Sequence, residues 1–260
     1  MNQYKNIIFK VEHKVAWLKF NRPDQLNAMN SEMMGEIIEA LKKIHDTDSE
    51  EIKVAVITGI GKAFMAGADI KEYALQTEAQ FNEFQKNGRS VYALIEENSK
   101  PVIAAINGYA FGGGLEIALA CDMIVAAEGA KMGLPEILLH LIPGGAGTIR
   151  LAKKIGINRT NEIEMTGKSI LAEELYNYGA INHLFPINSF EEEVRKFAAA
   201  FTDKASDNLK VLKQLARMSI EGLSSEAEII EHDSLNRFYR SENAQAKIKE
   251  FYDKSLELKK

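Results

Sequence analysis

The sequence predicts an α/β fold that continues into a helical region at its carboxyl end. Up to about residue 190, short apolar runs of strand length alternate with amphipathic stretches of helical period, and beyond that point every periodic segment is helical. With 260 residues, the chain can bury a substantial core. We therefore expect an α/β core over residues 1–195 and a helical region over residues 196–260.

The amino-terminal part contains three predicted strands and one helix. In residues 4–20, apolar and polar residues alternate on both sides of a turn, which predicts two strands. Asn30 or Ser31 is placed to cap a helix. Residues 54–58 are almost wholly apolar, the pattern of a strand covered on both faces. This strand leads into a glycine-punctuated loop at residues 59–69.

The central stretch, KPVIAAINGYAFGGGLEIALACD, spans residues 100–122 and follows a long amphipathic helix at 77–97. An apolar strand at 102–106 ends in a turn, and three consecutive glycines at 112–114 open a helix with Glu116 in its first turn. Backbone N–H groups without neighbouring side chains, at the positive end of a helix, suit an anion. The stretch therefore predicts an anion site beside an acid.

The rest of the chain repeats this alternation and then becomes helical. An apolar strand is predicted at 123–127, Pro135 and Pro143 mark turns, a helix opens at 144–147, and a last strand lies near 181–185. The predicted carboxyl-terminal helices cover residues 191–201, 208–222, 224–240 and 242–257.

Composition argues against several classes of protein. The net charge of −5, without a basic block, disfavours binding to nucleic acid or an anionic membrane. Charges interrupt residues 1–20, so we expect neither a signal peptide nor a membrane span. The single cysteine, Cys121, excludes a disulfide framework and suggests a cytoplasmic chain. The five histidines show no ligand spacing, so we expect no metal site.

The glycine loops do not match the common nucleotide-binding motifs. The dinucleotide fingerprint would need glycine at Phe64 or Ile117, and a phosphate-binding loop ending at 167–169 would need glycine at Glu162. No G-x-S-x-G segment supplies a nucleophilic serine.

Two loops of small residues, 66–68 and 112–114, remain after these exclusions. Each follows a predicted apolar strand, and two converging backbone donors would form an oxyanion hole for a carbonyl that becomes enolate-like. Glu116 and Glu136 are the candidate acid and base, and apolar neighbours should raise the pKa of Glu136. Either acid alone is also typical of a first helical turn, where it only stabilises the helix dipole. Their joint occurrence with both loops favours a catalytic site.

Several segments resemble the enoyl-CoA hydratase (crotonase) family. They are NGYAFGGGLEIALACD, GLPEILLHLIPGGAGTIRL, KAFMAGADIKE and NRPDQLNAMN, and the resemblance extends strongly over residues 10–190. It implies a crotonase-like spiral of ββα units, with carboxyl-terminal helices that mediate homotrimers or homohexamers and close the pocket. It also implies an acyl-CoA thioester substrate and no added cofactor, since CoA is part of the substrate.

The resemblance implies roles for individual residues. The N–H groups of Ala68 and Gly113 would hold the thioester oxygen, while Glu116 and Glu136 would position a water and transfer protons. The remaining implied substrate-binding residues are Ala28, Ala66, Asp69, Ile70 and Lys71, with Lys62 and Lys71 near the polar end of the CoA groove.

Three positions depart from the family pattern, namely Leu115, Leu134 and Ala146, where many members carry Cys, Gln and Gly. Because both glutamates are present, the resemblance favours a hydratase that interconverts a trans-2-enoyl-CoA and a 3-hydroxyacyl-CoA. A Δ3-Δ2-enoyl-CoA isomerase, which needs only one acid, is the alternative. A catalytically silent CoA-binding homologue would be favoured if Leu134 or His140 closed the pocket.

Overall fold

The computed structural model describes residues 4–220, 222–246 and 248–249. The chain divides into two compact units, Met1–Lys204 and Ala205–Lys260. The strands are β1 Ile7–Glu12, β2 Val15–Phe20, β3 Val54–Gly59, β4 Ala63–Met65, β5 Val102–Ile106, β6 Tyr109–Phe111, β7 Met123–Ala127, β8 Lys131–Gly133, β9 Ile170–Leu171 and β10 His183–Phe185.

The helices of the first unit are α1 Ser31–Asp46, α2 Ile70–Tyr73, α3 Glu78–Glu96, α4 Gly113–Ala120, α5 Gly147–Ile155, α6 Ile157–Thr166, α7 Ala172–Asn177 and α8 Phe190–Ala199. Short 3₁₀ helices span Pro23–Gln25, Glu136–Leu139 and Ile187–Ser189. In the second unit, α9 Ser206–Ile220 and α10 Ser224–Tyr239 pack on each other.

The first unit contains two β-sheets joined by a repeating chain path. The six-stranded sheet has the order β1-β2-β3-β5-β7-β10 and is parallel except for the β1–β2 hairpin. The four-stranded sheet has the order β4-β6-β8-β9. The pairs β3–β4, β5–β6 and β7–β8 each give one strand to each sheet before a helical segment follows. This path is the predicted spiral of ββα units.

Both faces of the six-stranded sheet are buried, as the apolar run at 54–58 predicted. Ala55 and Ile57 of β3 face the larger core, while Val54 and Val56 face a second cluster that α8 covers. Successive side chains of a strand point to opposite faces, so a strand covered on both sides must be apolar throughout.

The second sheet was not apparent from the sequence. Residues 59–69 were interpreted as one loop but contain β4, and the short strands β6 and β8 lie in stretches for which no strand was predicted. Three-residue strands are too short to show a period of two. Of the predicted helix at 242–257, residues 242–246 and 248–249 are helical, and residues 247 and 250–257 lie outside the described residues.

A close contact between α4 and β4 brings the two small-residue loops together. A Cβ atom at Gly114 would lie 2.1 Å from the carbonyl oxygen of Met65, so only glycine allows this approach. Met65 ends β4 directly before the 66–68 loop, and Gly114 lies in the first turn of α4. The contact therefore sets the anion site at 112–116 beside the 66–68 loop.

Candidate active site

A cavity of about 260 Å³ lies where these loops meet. Six of the nine predicted site residues line it: Ala66, Ala68, Ile70, Gly113, Glu116 and Glu136. Most other lining residues are apolar or aromatic, which is typical of a small-molecule site with few polar groups. The first unit thus brings two carboxylates and two glycine- or alanine-rich loops into one cavity.

Glu116 is buried and is held by three hydrogen-bond donors. Its Oε1 accepts the N–H groups of Gly145 (2.7 Å) and Gly147 (3.0 Å), and its Oε2 accepts the hydroxyl of Tyr92 (3.2 Å). Its side chain is only 3% exposed. A buried carboxyl group needs hydrogen-bond partners when it is removed from water, and these three contacts supply them and fix its orientation in the cavity.

Glu136 has a different environment. It begins the 3₁₀ helix after Pro135, and its Oε2 is buried without a hydrogen-bond partner among the described residues. Burial raises the pKa of Glu136 to about 7, and the negative charges of Glu116 and Glu164 add to this effect. Glu136 can therefore both give and accept a proton near neutral pH.

Gly112 lies next to both Glu116 and Glu136. Its carbonyl accepts the Glu116 N–H at 3.0 Å, and a Cβ atom at this position would lie 3.0 Å from Oε1 of Glu136. Its φ of +51° is also a conformation that residues with side chains rarely adopt. Any other residue here would press against the Glu136 carboxyl group.

The backbone N–H groups of Ala68 and Gly113, two residues of the cavity wall, have no acceptor within the described residues. Met29 pairs with Ala68 in a parallel bridge, in which Met29 donates to the Gly67 carbonyl and Asp69 donates to the Met29 carbonyl. This pattern turns the N–H of Ala68 away from Met29. Gly113 is the first residue of α4, where a backbone N–H has no partner inside the helix.

The other three predicted residues, Ala28, Asp69 and Lys71, are not part of the cavity lining. Asp69 pairs with Arg22 at 2.9 Å, and the guanidinium of Arg22 also donates to the carbonyl of Ala28. Burial acts to raise the pKa of Asp69, but the hydrogen bond and charge of Arg22 outweigh it and lower this pKa. The ion pair ties the 22–28 turn to the loop that carries Ala68.

Tyr92 is a functional candidate that the sequence interpretation missed. It lies on the cavity side of α3, and its helical spacing from Phe84 and Gly88 resembles an ordinary core stripe. Burial, together with the charge of Glu116, raises the pKa of Tyr92 well above its usual value, so the phenol remains a donor. The feature that marks Tyr92 as a functional candidate is its buried hydroxyl at the cavity, and this feature is visible in the folded structure but not in the sequence.

Arg150 and Glu164 were also missed. Arg150 donates to the Gly145 carbonyl and pairs with Glu96 at 2.8 Å, which fixes the peptide that holds Glu116. Burial raises the pKa of Glu164, and its Oε1 has no partner among the described residues. Glu164 therefore adds a third carboxyl group to the electrostatics of the site.

The positions that departed from the family pattern do not obstruct the cavity. Leu115 and Leu134 are buried, His140 is exposed, and none of them is a lining residue. Ala146 adopts a left-handed conformation with φ of 61° between the two amides that hold Glu116.

The part of the chain that the structure describes lacks two further kinds of feature. No three His, Cys, Asp or Glu side chains there cluster so that they could hold a metal ion. No helix there has both the length and the apolar character needed to cross a bilayer.

Comparison with known proteins identifies the architecture. The enoyl-CoA hydratase from Bacillus anthracis has a TM-score of 0.91 at 32% identity, covering 96% of this chain and 97% of that one. An enoyl-CoA hydratase subunit from Geobacillus kaustophilus has a TM-score of 0.90 at 31% identity, covering 97% of each chain. The architecture is therefore the crotonase fold.

The amino-acid sequence shows the family to which the chain belongs. The model of the enoyl-CoA hydratase/isomerase family matches residues 10–257. Crotonyl-CoA hydratase from Syntrophomonas wolfei is 34% identical over 252 residues, covering 96% of each chain. The 2,3-dehydroadipyl-CoA hydratase from Escherichia coli is 34% identical over 229 residues, covering 86% of this chain and 88% of that protein. The chain belongs to the enoyl-CoA hydratase/isomerase family and is an enzyme whose named relatives are hydro-lyases.

Proposed function

We propose that the protein is an enoyl-CoA hydratase that reversibly adds water to a trans-2-enoyl-CoA and gives a 3-hydroxyacyl-CoA. The observation that carries this proposal is the pair of carboxylates with contrasting environments that line one cavity, Glu116 with three donors and Glu136 with an unpartnered oxygen. The names of the relatives support the same reaction. No cofactor beyond the CoA of the substrate is needed for this chemistry.

The N–H groups of Ala68 and Gly113 would form the oxyanion hole. Both lie in the cavity wall and lack a protein acceptor within the described residues, so both can donate to the thioester oxygen. When water adds to Cβ, the electron pair of the double bond moves toward this oxygen, and fixed donors stabilise the charge that develops there. The exposed Lys62 and Lys71 would attract the phosphates of CoA.

The two glutamates would divide the proton transfers. Glu116, whose carboxyl oxygens are held by three donors, accepts a proton from the water as the water oxygen bonds to Cβ. Glu136, whose pKa of about 7 leaves it substantially protonated near neutral pH, gives its proton to Cα. The sum of both steps adds one H and one OH across the double bond, and a proton passing from Glu116 to Glu136 through solvent restores the starting state.

The isomerase alternative uses the same oxyanion hole but only one acid, which takes a proton from C2 and returns it to C4. The silent homologue receives no support from Leu134 or His140, since neither lines the cavity. The buried Cys121 fits a reducing compartment, and we infer a cytoplasmic enzyme.

The test follows the absorbance of the conjugated enoyl thioester of crotonyl-CoA. We expect the wild type to consume it, whereas Glu116→Gln and Glu136→Gln should each lose roughly 10²–10⁴-fold in hydration rate while retaining CoA binding. The matched control is Glu128→Gln, an exposed glutamate outside the cavity, which should hydrate at the wild-type rate. Full activity in either cavity variant would refute the two-acid mechanism, and conversion of a 3-enoyl-CoA without hydration would establish the isomerase.

A further inference from the structure

We propose that Tyr92 is a positioning residue that fixes the Glu116 carboxylate and leaves it one acceptor site for the reacting water. The proposal rests on the proposed function, because it concerns the same site and the same water. Tyr92 lines the cavity, and its hydroxyl donates to Oε2 of Glu116 at 3.2 Å.

The acceptor capacity of Glu116 leads to this assignment. A carboxylate offers about four acceptor sites on its two oxygens. Oε1 already accepts two backbone N–H groups, from Gly145 and Gly147, and Oε2 accepts the phenol of Tyr92. One site therefore remains, and it belongs to Oε2. While Tyr92 donates to Oε2, water in the cavity can donate a hydrogen bond to Glu116 only at this remaining acceptor site.

Tyr92 is held rigidly enough to act in this way. A Cβ atom at Gly145 would lie 2.1 Å from Cε2 of the Tyr92 ring, so the ring packs directly on the loop that holds Glu116. The guanidinium of Arg150, which forms an ion pair with Glu96, lies 5.4 Å from the centroid of the Tyr92 ring. The ring is thus confined between α3 and the loop at 144–147, and its hydroxyl cannot turn away without a shift of that loop.

The two half-reactions should depend differently on Tyr92. Activation of water uses Glu116, whereas proton transfer at Cα uses Glu136 and the oxyanion hole. Exchange of the Cα proton of a saturated thioester, such as butyryl-CoA in D₂O, needs Glu136 and the oxyanion hole but no activated water. Loss of the phenol should therefore weaken hydration and spare this exchange.

The experiment compares Tyr92→Phe with Tyr4→Phe. The control removes a phenol that also donates to a glutamate, Glu39 at 3.1 Å, but lies outside the cavity. Tyr92→Phe should lower kcat for crotonyl-CoA hydration about 10- to 100-fold, the effect of one hydrogen bond to a charged group, with KM within about twofold. Exchange of butyryl-CoA followed by NMR should stay within about threefold of wild type, and Tyr4→Phe should match wild type in both assays.

Two outcomes would overturn the proposal. A wild-type kcat in Tyr92→Phe would show that the phenol is dispensable, and an equal loss of hydration and exchange would show a purely structural role. Glu116→Gln separates these outcomes from failure of the proposed function. If Glu116→Gln is inactive while Tyr92→Phe is fully active, only the role of Tyr92 is refuted. If Glu116→Gln is fully active, the two-acid mechanism fails, and if the wild type does not hydrate crotonyl-CoA, the proposed function itself fails.

Discussion

The two glutamates of the cavity show how neighbouring residues set the properties of one side-chain type. Glu116 is surrounded by Tyr92 and two backbone amides, all of which donate to its carboxyl oxygens. Glu136 lacks a donor to its buried Oε2 and lies near two further acids, Glu116 and Glu164. Opposite environments are the usual means by which two carboxyl groups take opposite roles in acid–base catalysis.

This contrast makes Glu136 a destabilising residue at high pH. Its pKa is about 7 in the folded state, whereas the ordinary value, expected in the unfolded state, is 4.5. Between these two pH values, the folded protein holds a proton on Glu136 that the unfolded protein releases. The free energy of unfolding therefore falls as pH rises from about 4.5 to about 7 and is then constant. The full shift would correspond to about 3 kcal/mol, and partial exposure reduces this to about 1–2 kcal/mol.

We accordingly expect Glu136→Gln to be more stable than wild type at pH 8 by about 1–2 kcal/mol and nearly equal to it at pH 4.5. Urea denaturation at both pH values, with the exposed Glu128→Gln as a control, measures the difference. A Glu136→Gln variant that is less stable than wild type at pH 8 would contradict the assigned burial cost.

At the scale of elements, the loop at 144–147 that leads into α5 is the part that holds Glu116. Its two bonding amides flank Ala146, whose left-handed conformation is unfavourable for a residue with a side chain. The loop therefore carries strain at the point where it holds Glu116, and functional sites are a common location for backbone strain.

Ala146→Gly should relieve this strain and raise the free energy of unfolding by about 0.5–1 kcal/mol, since glycine adopts the left-handed conformation at no steric cost. Thermal and urea unfolding measure the gain. The matched control is Ala79→Gly in the exposed first turns of α3, where the same change in a helix should cost up to about 1 kcal/mol. Equal destabilisation by both variants would show that the conformation of Ala146 is not strained.

At the scale of the whole molecule, the resemblance to the family implies assembly into trimers or hexamers. One observation in the first unit supports it: the segment 137–142 exposes several large apolar side chains, including Leu138 at 65% and Ile142 at 80%. Exposed apolar clusters on one chain are typical of surfaces that become covered in an assembly.

We therefore expect the purified protein to assemble through three or six copies of the 29.0 kDa chain, which corresponds to about 87 or 174 kDa. Native mass spectrometry and light scattering over a range of concentrations measure this mass. A species of 29.0 kDa at all concentrations would contradict the prediction.

The sequence by itself determined the family, the spiral α/β class and the residues whose chemistry is local. Glu116, Glu136, Ala68 and Gly113 each lie in a contiguous motif, because a helix start or a loop of small residues is encoded within a few positions. Strands buried on both faces could also be predicted from the sequence, because each needs an unbroken apolar run, as in residues 54–58.

Only the tertiary structure decided which distant groups act on those residues. The strands of the second sheet are too short to leave a periodic pattern, and Tyr92, Arg150 and Glu164 reach the glutamates from three separate helices. Hydrogen bonding and desolvation depend on distance in space rather than along the chain. The difference between the two glutamates is therefore a property of the folded cavity, although each glutamate was visible in the sequence.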